Sequence, residues 1–155
     1  MGGETQAVMN EYNVVCDPEA ADYIFNCGLP VLMATYVLTS KLRMSMEQVE
    51  QQFGGGTSPV HQVLADCTSL WGPHRGRKAG PVLYDLVPIF WLADESSVRT
   101  RRSTIRVELQ GQYTRGQTVR MGDTGPVMES IDLNAEGMVR HFVQTINLAA
   151  KKHQG

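Results

Sequence analysis

Two polar side chains stand at alternate positions where a short apolar run begins near the N-terminus. Glu11 offers a carboxylate, Asn13 offers an amide, and Tyr12 lies between them. If this run is extended, alternation places Glu11 and Asn13 on one face and Tyr12 on the other. Helix-start signals explain the residues that follow, but they leave this pair of hydrogen-bonding groups without a structural role. We therefore treat Glu11 and Asn13 as candidate functional residues.

The carboxylate of Asp85 is a further candidate, because it interrupts the strongly apolar segment 82–92. A carboxylate in such surroundings is costly unless it caps a helix, pairs with a cation or binds a metal. Asp85 suits the N-cap of a helix that tolerates Pro88 in its first turn. The sequence alone leaves a capping role and a functional role open.

The elements that position these residues are indicated by local signals. The segment 17–21, Asp-Pro-Glu-Ala-Ala, predicts a helix start with Asp17 as its N-cap and the proline at the first helical position. Gly28 is a good left-handed stop for that helix. The apolar run 31–34 then predicts a buried parallel strand. Together with the run before Asp17, these signals predict a βαβ unit.

Farther along, the chain shows three more helix starts. Ser45 and Gln48 have the form of a capping box, Pro59 suits the first turn of a second helix, and Asn134 can cap a last one. The segment 71–81 reads as a basic, glycine- and proline-rich loop, either a solvated connection or a functional one.

Strand signals fill the part of the chain before the last helix. Alternation over residues 103–111 predicts a half-exposed strand, and 114–120 predicts its hairpin partner. A further strand is expected over 128–133. No linker interrupts the chain, so we expect a single domain over residues 1–155 of the α/β class.

Composition narrows the function classes. The 155 residues are 42% hydrophobic and 19% charged, which is typical of a globular protein, and the net charge of −2 argues against a nucleic-acid-binding role. No apolar run has the length of a membrane span, and no signal peptide is visible. Cys16, Cys27 and Cys67 lie in apolar settings, which predicts reduced, packed thiols in a cytosolic protein. Their spacing supports no zinc site.

The first motif resembles that of a known family. Glu11-Tyr12-Asn13, followed by Asp-Pro-Glu-Ala-Ala at 17–21, is similar to the Glu-Phe-Asn…Asp-Pro-Glu-Ala-Ala signature of the inosine-uridine-preferring nucleoside hydrolases. Members of that family cleave the N-glycosidic bond of ribonucleosides with a bound calcium ion. The resemblance implies an activity that neither composition nor spacing indicates.

Further matches follow in the same order along the chain. Tyr84-Asp85 with an upstream proline resembles the family's Pro-x-x-His-Asp element, and the segments 107–111 and 114–119 resemble its Val-Glu-Leu…Thr-Arg-Gly hairpin. The matches correspond to about the C-terminal half of the family's domain. The implied fold is a mostly parallel open sheet with flanking helices and a β-hairpin, without the N-terminal half. The apolar strand 31–34 is then expected to expose an edge.

The resemblance also implies roles for individual residues. Glu11 and Asn13 match the pair that hydrogen-bonds the ribose hydroxyls, and Tyr12 matches the aromatic residue packed beside the sugar. Asp85 matches the aspartate that binds both calcium and a ribose hydroxyl. Tyr84 stands where one subgroup has the histidine that protonates the leaving base. Other subgroups have an aromatic residue there, so the resemblance argues against the histidine-dependent route for this chain.

The chemistry of the family needs more groups than these residues supply. The base and most calcium ligands of the family come from an N-terminal Asp-x-Asp-x-x-x-Asp-Asp motif, which the 155 residues do not contain. Asp85 alone cannot supply the six to eight oxygens that calcium takes. We therefore expect calcium for the family but not for this chain alone.

Three hypotheses follow. In the first, the chain is part of a nucleoside N-ribohydrolase and is inactive in isolation. In the second, it is a non-catalytic truncated homologue, either a pseudoenzyme or a partner of a full-length relative. In the third, it comes from a gene model that starts at an internal methionine. The expected partners are a ribonucleoside and a second copy or a complementing chain, in the cytoplasm, with neither nucleic acid nor membrane.

Overall fold

The computed structural model describes residues 2–7, 9–56, 58–74 and 80–152. Its backbone forms two compact units, which are treated separately below. Unit 1 comprises Met1–Ser40 and Tyr84–Leu133, and unit 2 comprises Lys41–Leu83 and Asn134–Gly155. The single domain over residues 1–155 stays a prediction.

The described chain contains both helices and strands. In order, they are α1 (Tyr12–Cys16), α2 (Pro18–Asn26), β1 (Val31–Met33), α3 (Tyr36–Thr39), α4 (Met46–Phe53), α5 (Pro59–His74), α6 (Leu86–Ala93), β2 (Val98–Val107), β3 (Thr118–Leu133) and α7 (Ala135–Lys152). The α/β class expected from the sequence is confirmed.

The run before Asp17 is the helix α1, so the predicted strand and the predicted βαβ unit are wrong there. The reason is a local cap. Glu11 occupies the N-cap, and its carboxylate accepts from the backbone N–H groups of Asn13 at 3.1 Å and Val14 at 3.3 Å. These donors have no partner within the helix itself, so a side-chain acceptor stabilises the turn.

The helix predicted after Asp17 is confirmed as α2. The Asp17 carboxylate accepts from the N–H of Ala20 at 2.9 Å, and Pro18 takes the first helical position. The helix ends at Asn26, and Gly28 follows with φ of 83°. A side chain at that φ is strained, which is why glycine suits this stop.

The sheet of unit 1 is mixed, in the order β1-β3-β2. Strand β1 runs parallel to β3, with Val31 beside Val127, and β2 runs antiparallel to β3, with Val107 beside Thr118. The predicted hairpin is confirmed. The two strands predicted over 114–120 and 128–133 form one strand of 16 residues.

The core of unit 1 joins α1 and α2 to one face of this sheet. Its buried members are Val14, Ala21, Phe25, Met33, Ile105, Val107 and Val127. Within the described residues β1 has β3 as its one hydrogen-bonded neighbour, so β1 is the edge that the sequence predicted. Helix α6 exposes Ile89 by 59% and Leu92 by 77%, which leaves an apolar surface on this unit.

Helix α2 is tied to the hairpin through the carboxylate of Asp22. It accepts from Nε and an Nη of Arg106, both at 2.9 Å, and from the N–H of Val107 at 2.8 Å. Burial raises the pKa of Asp22, but the hydrogen bonds from Arg106 and Val107 and the charge of Arg106 outweigh it, so its pKa lies below the usual range. This carboxylate fixes the position of the helix that follows the Glu11 motif.

We expect Asp22→Ala to destabilise unit 1 by about 1–3 kcal/mol, because the Val107 N–H loses its acceptor. Urea unfolding followed by circular dichroism measures the loss. Glu19→Ala is the matched control, since Glu19 pairs with Arg115 on the exposed surface and such pairs contribute little. Equal losses in the two variants would contradict the role given to Asp22.

Unit 2 is held by a second apolar cluster. Its buried members are Met44, Val49 and Phe53, with α5 and α7 packed against them. The capping box of Ser45 and Gln48 is confirmed at the start of α4, and Asn134 caps α7 by accepting from the N–H of Gly137 at 2.9 Å.

The segment 71–81, expected as a loop, is helical at its start. Helix α5 continues to His74. Residues 75–79 lie outside the described residues. Gly80, with φ of 72°, has no room for a side chain, since a Cβ there would lie 2.2 Å from the carbonyl oxygen of Met44.

The cysteines are free thiols, as expected, but the packing predicted for them is wrong in two cases. Cys16 and Cys67 are exposed and Cys27 is half-buried. Cys16 is exposed because α1 is a helix whose buried face is provided by Val14. None of the helices in the described part of the chain is long and apolar enough to span a bilayer.

Candidate functional site

The structure brings Glu11 and Asn13 together, although by a helix cap and not by strand alternation. The side-chain amide of Asn13 donates to Oε1 of Glu11 at 3.0 Å. Glu11 is only 7% exposed, while Asn13 lies on the surface. The Glu11 carboxylate is therefore held in one orientation, with the Asn13 amide beside it on the protein surface.

Gly2 passes directly beside this pair. A Cβ on Gly2 would lie 2.4 Å from Oε2 of Glu11 and 3.0 Å from Nδ2 of Asn13. Any side chain at this position therefore displaces the carboxylate or the amide. The sequence analysis missed Gly2, and the signal available was the Gly-Gly pair, since glycine marks positions where the backbone makes a close approach.

The same N-terminal segment is hydrogen-bonded to one member of a stacked aromatic pair. The carbonyl oxygen of Gly3 accepts from the N–H of Tyr36 at 3.1 Å. The rings of Tyr36 and Tyr84 are stacked, with centroids 5.9 Å apart and planes 25° from parallel. Contacts thus run from the Glu11 carboxylate through the N-terminal glycines to Tyr84, which precedes Asp85.

Tyr36 was also missed by sequence reasoning. It lies just after β1, and residues after the carboxyl ends of parallel strands commonly face ligand sites in α/β sheets. That rule could have pointed to Tyr36, because the apolar run 31–34 was recognised as a parallel strand.

Tyr12 points outward and is 78% exposed. As the residue after the N-cap of α1, it lies on the side opposite the buried Val14. Its packing beside a sugar stays a prediction, as do the roles of Glu11, Asn13, Tyr84 and Asp85.

Asp85 occupies the N-cap position of α6, but its side chain makes no capping hydrogen bond. Asp85 is exposed despite the apolar residues around it, so its carboxylate carries no burial cost. Pro88 does lie in the first turn of α6, as expected. The capping alternative therefore has no hydrogen bond to support it, and the carboxylate is accessible to a ligand.

The donor set of this chain does not fit a calcium site. Within the described residues no three His, Cys, Asp or Glu side chains come together in a group that could hold a metal ion. Glu11 belongs to no such group, and Asp85 alone offers too few oxygens for calcium.

Two buried carboxylates were not singled out from the sequence. Glu4 is 1% exposed, and its Oε2 accepts from the N–H of Val37 at 2.7 Å, at the start of α3. Its Oε1 accepts from the N–H groups of Gln6 and Ala7. Glu4 thus satisfies one α3 donor, the N–H of Val37, that Thr35, the N-cap residue of α3, leaves without a side-chain acceptor.

Glu129 is fully buried in the middle of β3. Arg101 donates to both of its oxygens at 2.8 Å, Ser103 donates at 2.7 Å, and the hydroxyl of Thr5 donates to Oε1. Burial raises the pKa of Glu129, but these hydrogen bonds and the charge of Arg101 outweigh it, so its pKa is lowered. The network anchors the N-terminal segment, which carries Gly2 and Gly3, to the central strand.

The arrangement suits recognition of a polar ligand with adjacent hydroxyl groups. A carboxylate accepts hydrogen bonds from hydroxyls, and a carboxamide both donates and accepts. Glu11 and Asn13 place the two functions side by side at a fixed spacing.

The hairpin motif of the sequence is a structural partner of this site. The side-chain amide of Asn10 donates to the carbonyl oxygen of Arg115 at 3.0 Å, and Arg115 forms an ion pair with Glu19. A Cβ on Gly116 would lie 3.0 Å from Val15 of α1. The Thr-Arg-Gly segment therefore holds the helices that carry Glu11 and Asp17.

Comparison with known proteins gives a consistent result. The inosine-uridine preferring nucleoside hydrolase family matches residues 1–150. The chain is 32% identical over 149 residues to the pyrimidine-specific ribonucleoside hydrolase RihA of Escherichia fergusonii, which covers 90% of this chain and 48% of that protein. It is 31% identical to the RihA of Citrobacter koseri, over 83% of this chain and 44% of that protein.

Solved structures agree with the sequence comparison. The fold is similar to that of a purine-preferring ribonucleoside hydrolase from Gardnerella vaginalis, with a TM-score of 0.84, 23% identity, and coverage of 97% of this chain and 52% of that one. The chain spans about half the length of the curated relatives it matches. On the match over residues 1–150, it belongs to the inosine-uridine preferring nucleoside hydrolase family.

Proposed function

We propose that this chain provides the ribose-binding wall of a ribonucleoside hydrolase. Glu11 and Asn13 hydrogen-bond the sugar hydroxyls, Asp85 contributes a second carboxylate, and Tyr84 stands on the side of the leaving base. Hydrolysis of the N-glycosidic bond then requires the other half of the fold, supplied by further sequence or by a complementing chain.

One observation carries this proposal. The Glu11 carboxylate and the Asn13 amide are locked together at the start of α1, and Gly2 leaves no space for a side chain against them. A buried carboxylate serving only as a helix cap needs neither the adjacent surface amide nor the glycine. The relatives named above act on ribonucleosides but differ in the preferred base, so the proposal concerns the sugar.

A titration with uridine tests the sugar site directly. We expect weak binding, on the order of millimolar, because only one wall of the pocket is present. The side-chain amide resonance of Asn13 should shift in a heteronuclear NMR spectrum. Gly2→Ala should abolish that shift and leave the fold intact, because the added methyl group moves Glu11 away from Asn13.

Further variants separate the sugar site from the rest of the surface. Glu11→Gln and Asp85→Asn should weaken uridine binding, while Gln112→Ala, at an exposed position in the hairpin turn, should not change it. Uridine binding that survives Gly2→Ala and Glu11→Gln unchanged would overturn the proposal.

A second candidate function is a non-catalytic truncated homologue, either a pseudoenzyme or a partner of a full-length relative. It is favoured by the absence of an Asp-x-Asp-x-x-x-Asp-Asp motif from the 155 residues. The exposed apolar side chains of α6 and the free edge of β1 suit a complementing chain or a second copy. A cytoplasmic location and a role in nucleoside catabolism belong to the first proposal, that of a ribonucleoside hydrolase.

A further inference from the structure

A groove in unit 2, separate from the residues of the ribose wall, gathers three cationic side chains. Its volume is about 550 Å³, and its walls are the segment 41–52 and helix α7. Lys41 and Arg43 lie in the chain before α4, and Arg140 lies on α7. Residues distant in sequence therefore direct positive charge into one concave surface.

These cations differ from five of the arginines of unit 1. Within the described residues, Lys41, Arg43 and Arg140 form no ion pair. The arginines that pair with a carboxylate are Arg99, Arg101, Arg106, Arg115 and Arg120. Glu136 is the one acidic side chain among the described residues of the groove wall. The groove is thus a positive site in a chain whose formal net charge is −2.

The rest of the groove is ordered and partly apolar. Nε2 of His61 donates to Oδ1 of Asn147 at 2.9 Å, and Oε1 of Gln48 accepts from the N–H of Ser45 at 2.8 Å. These bonds hold the Asn147 and Gln48 amides at the wall. Val139 and Val143, which are partly buried, supply apolar surface between the polar groups. Cationic side chains beside an apolar surface suit a ligand that has an anionic group attached to an uncharged organic part.

We propose that this groove binds a phosphomonoester. The phosphate dianion contacts Arg43 and Arg140, whose guanidinium groups match its oxygens bidentately, and Lys41 adds a point charge. The organic part of the ligand rests on Val139 and Val143. The site goes beyond the proposed hydrolysis, since it shares no residue with the ribose wall and takes a charged ligand.

Titration calorimetry of the whole chain tests the groove with four probes: uridine 5′-monophosphate, ribose 5-phosphate, inorganic phosphate and uridine. We expect saturable binding of at least one of the two phosphomonoesters, tighter than that of inorganic phosphate and weakened by added salt. Arg43→Gln and Arg140→Gln should each weaken it about tenfold or more, the factor for one charge-assisted hydrogen bond. If only one of the two phosphomonoesters binds, the result identifies the organic part of the ligand that the groove accepts.

Arg102→Gln is the matched control, because Arg102 is exposed on β2, outside the groove, and is expected to leave binding unchanged. If a glutamine variant fails to fold, Arg140→Lys replaces it and should retain part of the affinity. The groove site is rejected if neither phosphomonoester binds saturably, if Arg102→Gln weakens binding equally, or if Glu11→Gln removes it. The groove variants are expected to leave uridine binding unchanged. The test of the groove is therefore independent of the test of the ribose site.

Discussion

Incubated alone with calcium and either inosine or uridine, the 155-residue chain is expected to release no free base. Hydrolysis of the N-glycosidic bond passes through an oxocarbenium-like state and needs an activated water as well as hydroxyl contacts. In the proposed role, Glu11, Asn13 and Asp85 supply the hydroxyl contacts, but the acidic motif that would activate water is not in these 155 residues. Release of hypoxanthine or uracil, followed by ultraviolet absorbance or chromatography, measures the outcome.

A full-length relative assayed in parallel shows that the conditions support turnover. Calcium titration of the chain alone, by calorimetry, should give no saturable binding, since one exposed aspartate does not make a calcium site. Turnover that disappears in Asp85→Ala but persists in the exposed-carboxylate control Asp94→Ala would show that this half suffices. The proposal of a required second half would then be wrong.

Arg101→Met is expected to destabilise unit 1 by about 3 kcal/mol or more, because it leaves the buried carboxylate of Glu129 without its cation. Both oxygens of Glu129 accept from Arg101 at 2.8 Å, and no part of the Glu129 side chain is exposed. Urea unfolding and hydrogen exchange of the β3 amides measure the loss. The double variant Arg101→Met/Glu129→Leu should recover much of it, since the unpaired charge is removed.

The effect should depend on pH in a defined direction. Because the pKa of Glu129 is lowered in the folded chain, its contribution to stability is present above the unfolded pKa and is lost as pH falls through the folded one. In Arg101→Met, burial dominates and the carboxyl group protonates at higher pH. The difference in stability between variant and parent should therefore shrink as pH falls, and the shrinkage should begin above the ordinary glutamate pKa of about 4.3, where the carboxyl group of the variant already protonates. Arg99→Met, which breaks an exposed pair with Asp132, should show neither effect.

Capping signals and hairpin patterns could be identified from the sequence because their causes are local. Asp17, Ser45 and Asn134 begin helices with side-chain bonds to residues three positions away, so the short segment contains both partners. The alternation that predicts the hairpin is equally local, since it reflects which face of β2 is buried. The family motifs were visible for the same reason.

The strand predicted before Asp17 shows where this reasoning fails. An apolar run of a few residues suits either a buried strand or a short helix, and periodicity cannot separate them. The N-cap formed by Glu11 favours the helix over the strand. The carboxylate that accepts these hydrogen bonds and the Asn13 and Val14 N–H groups that donate them were all visible in the sequence. The exposure of Asp85 could not be read in the same way, because it depends on which side of α6 meets the rest of unit 1.

By itself, the sequence determined the family, the helix starts, the hairpin and the pairing of Glu11 with Asn13 as candidates. Only the tertiary structure decided what holds these residues in place. Gly2 beside Glu11, the bonds of Glu129, and Tyr36 against Tyr84 join segments far apart in the chain. Such contacts depend on how the sheet and helices pack, and local propensity carries no information about that packing.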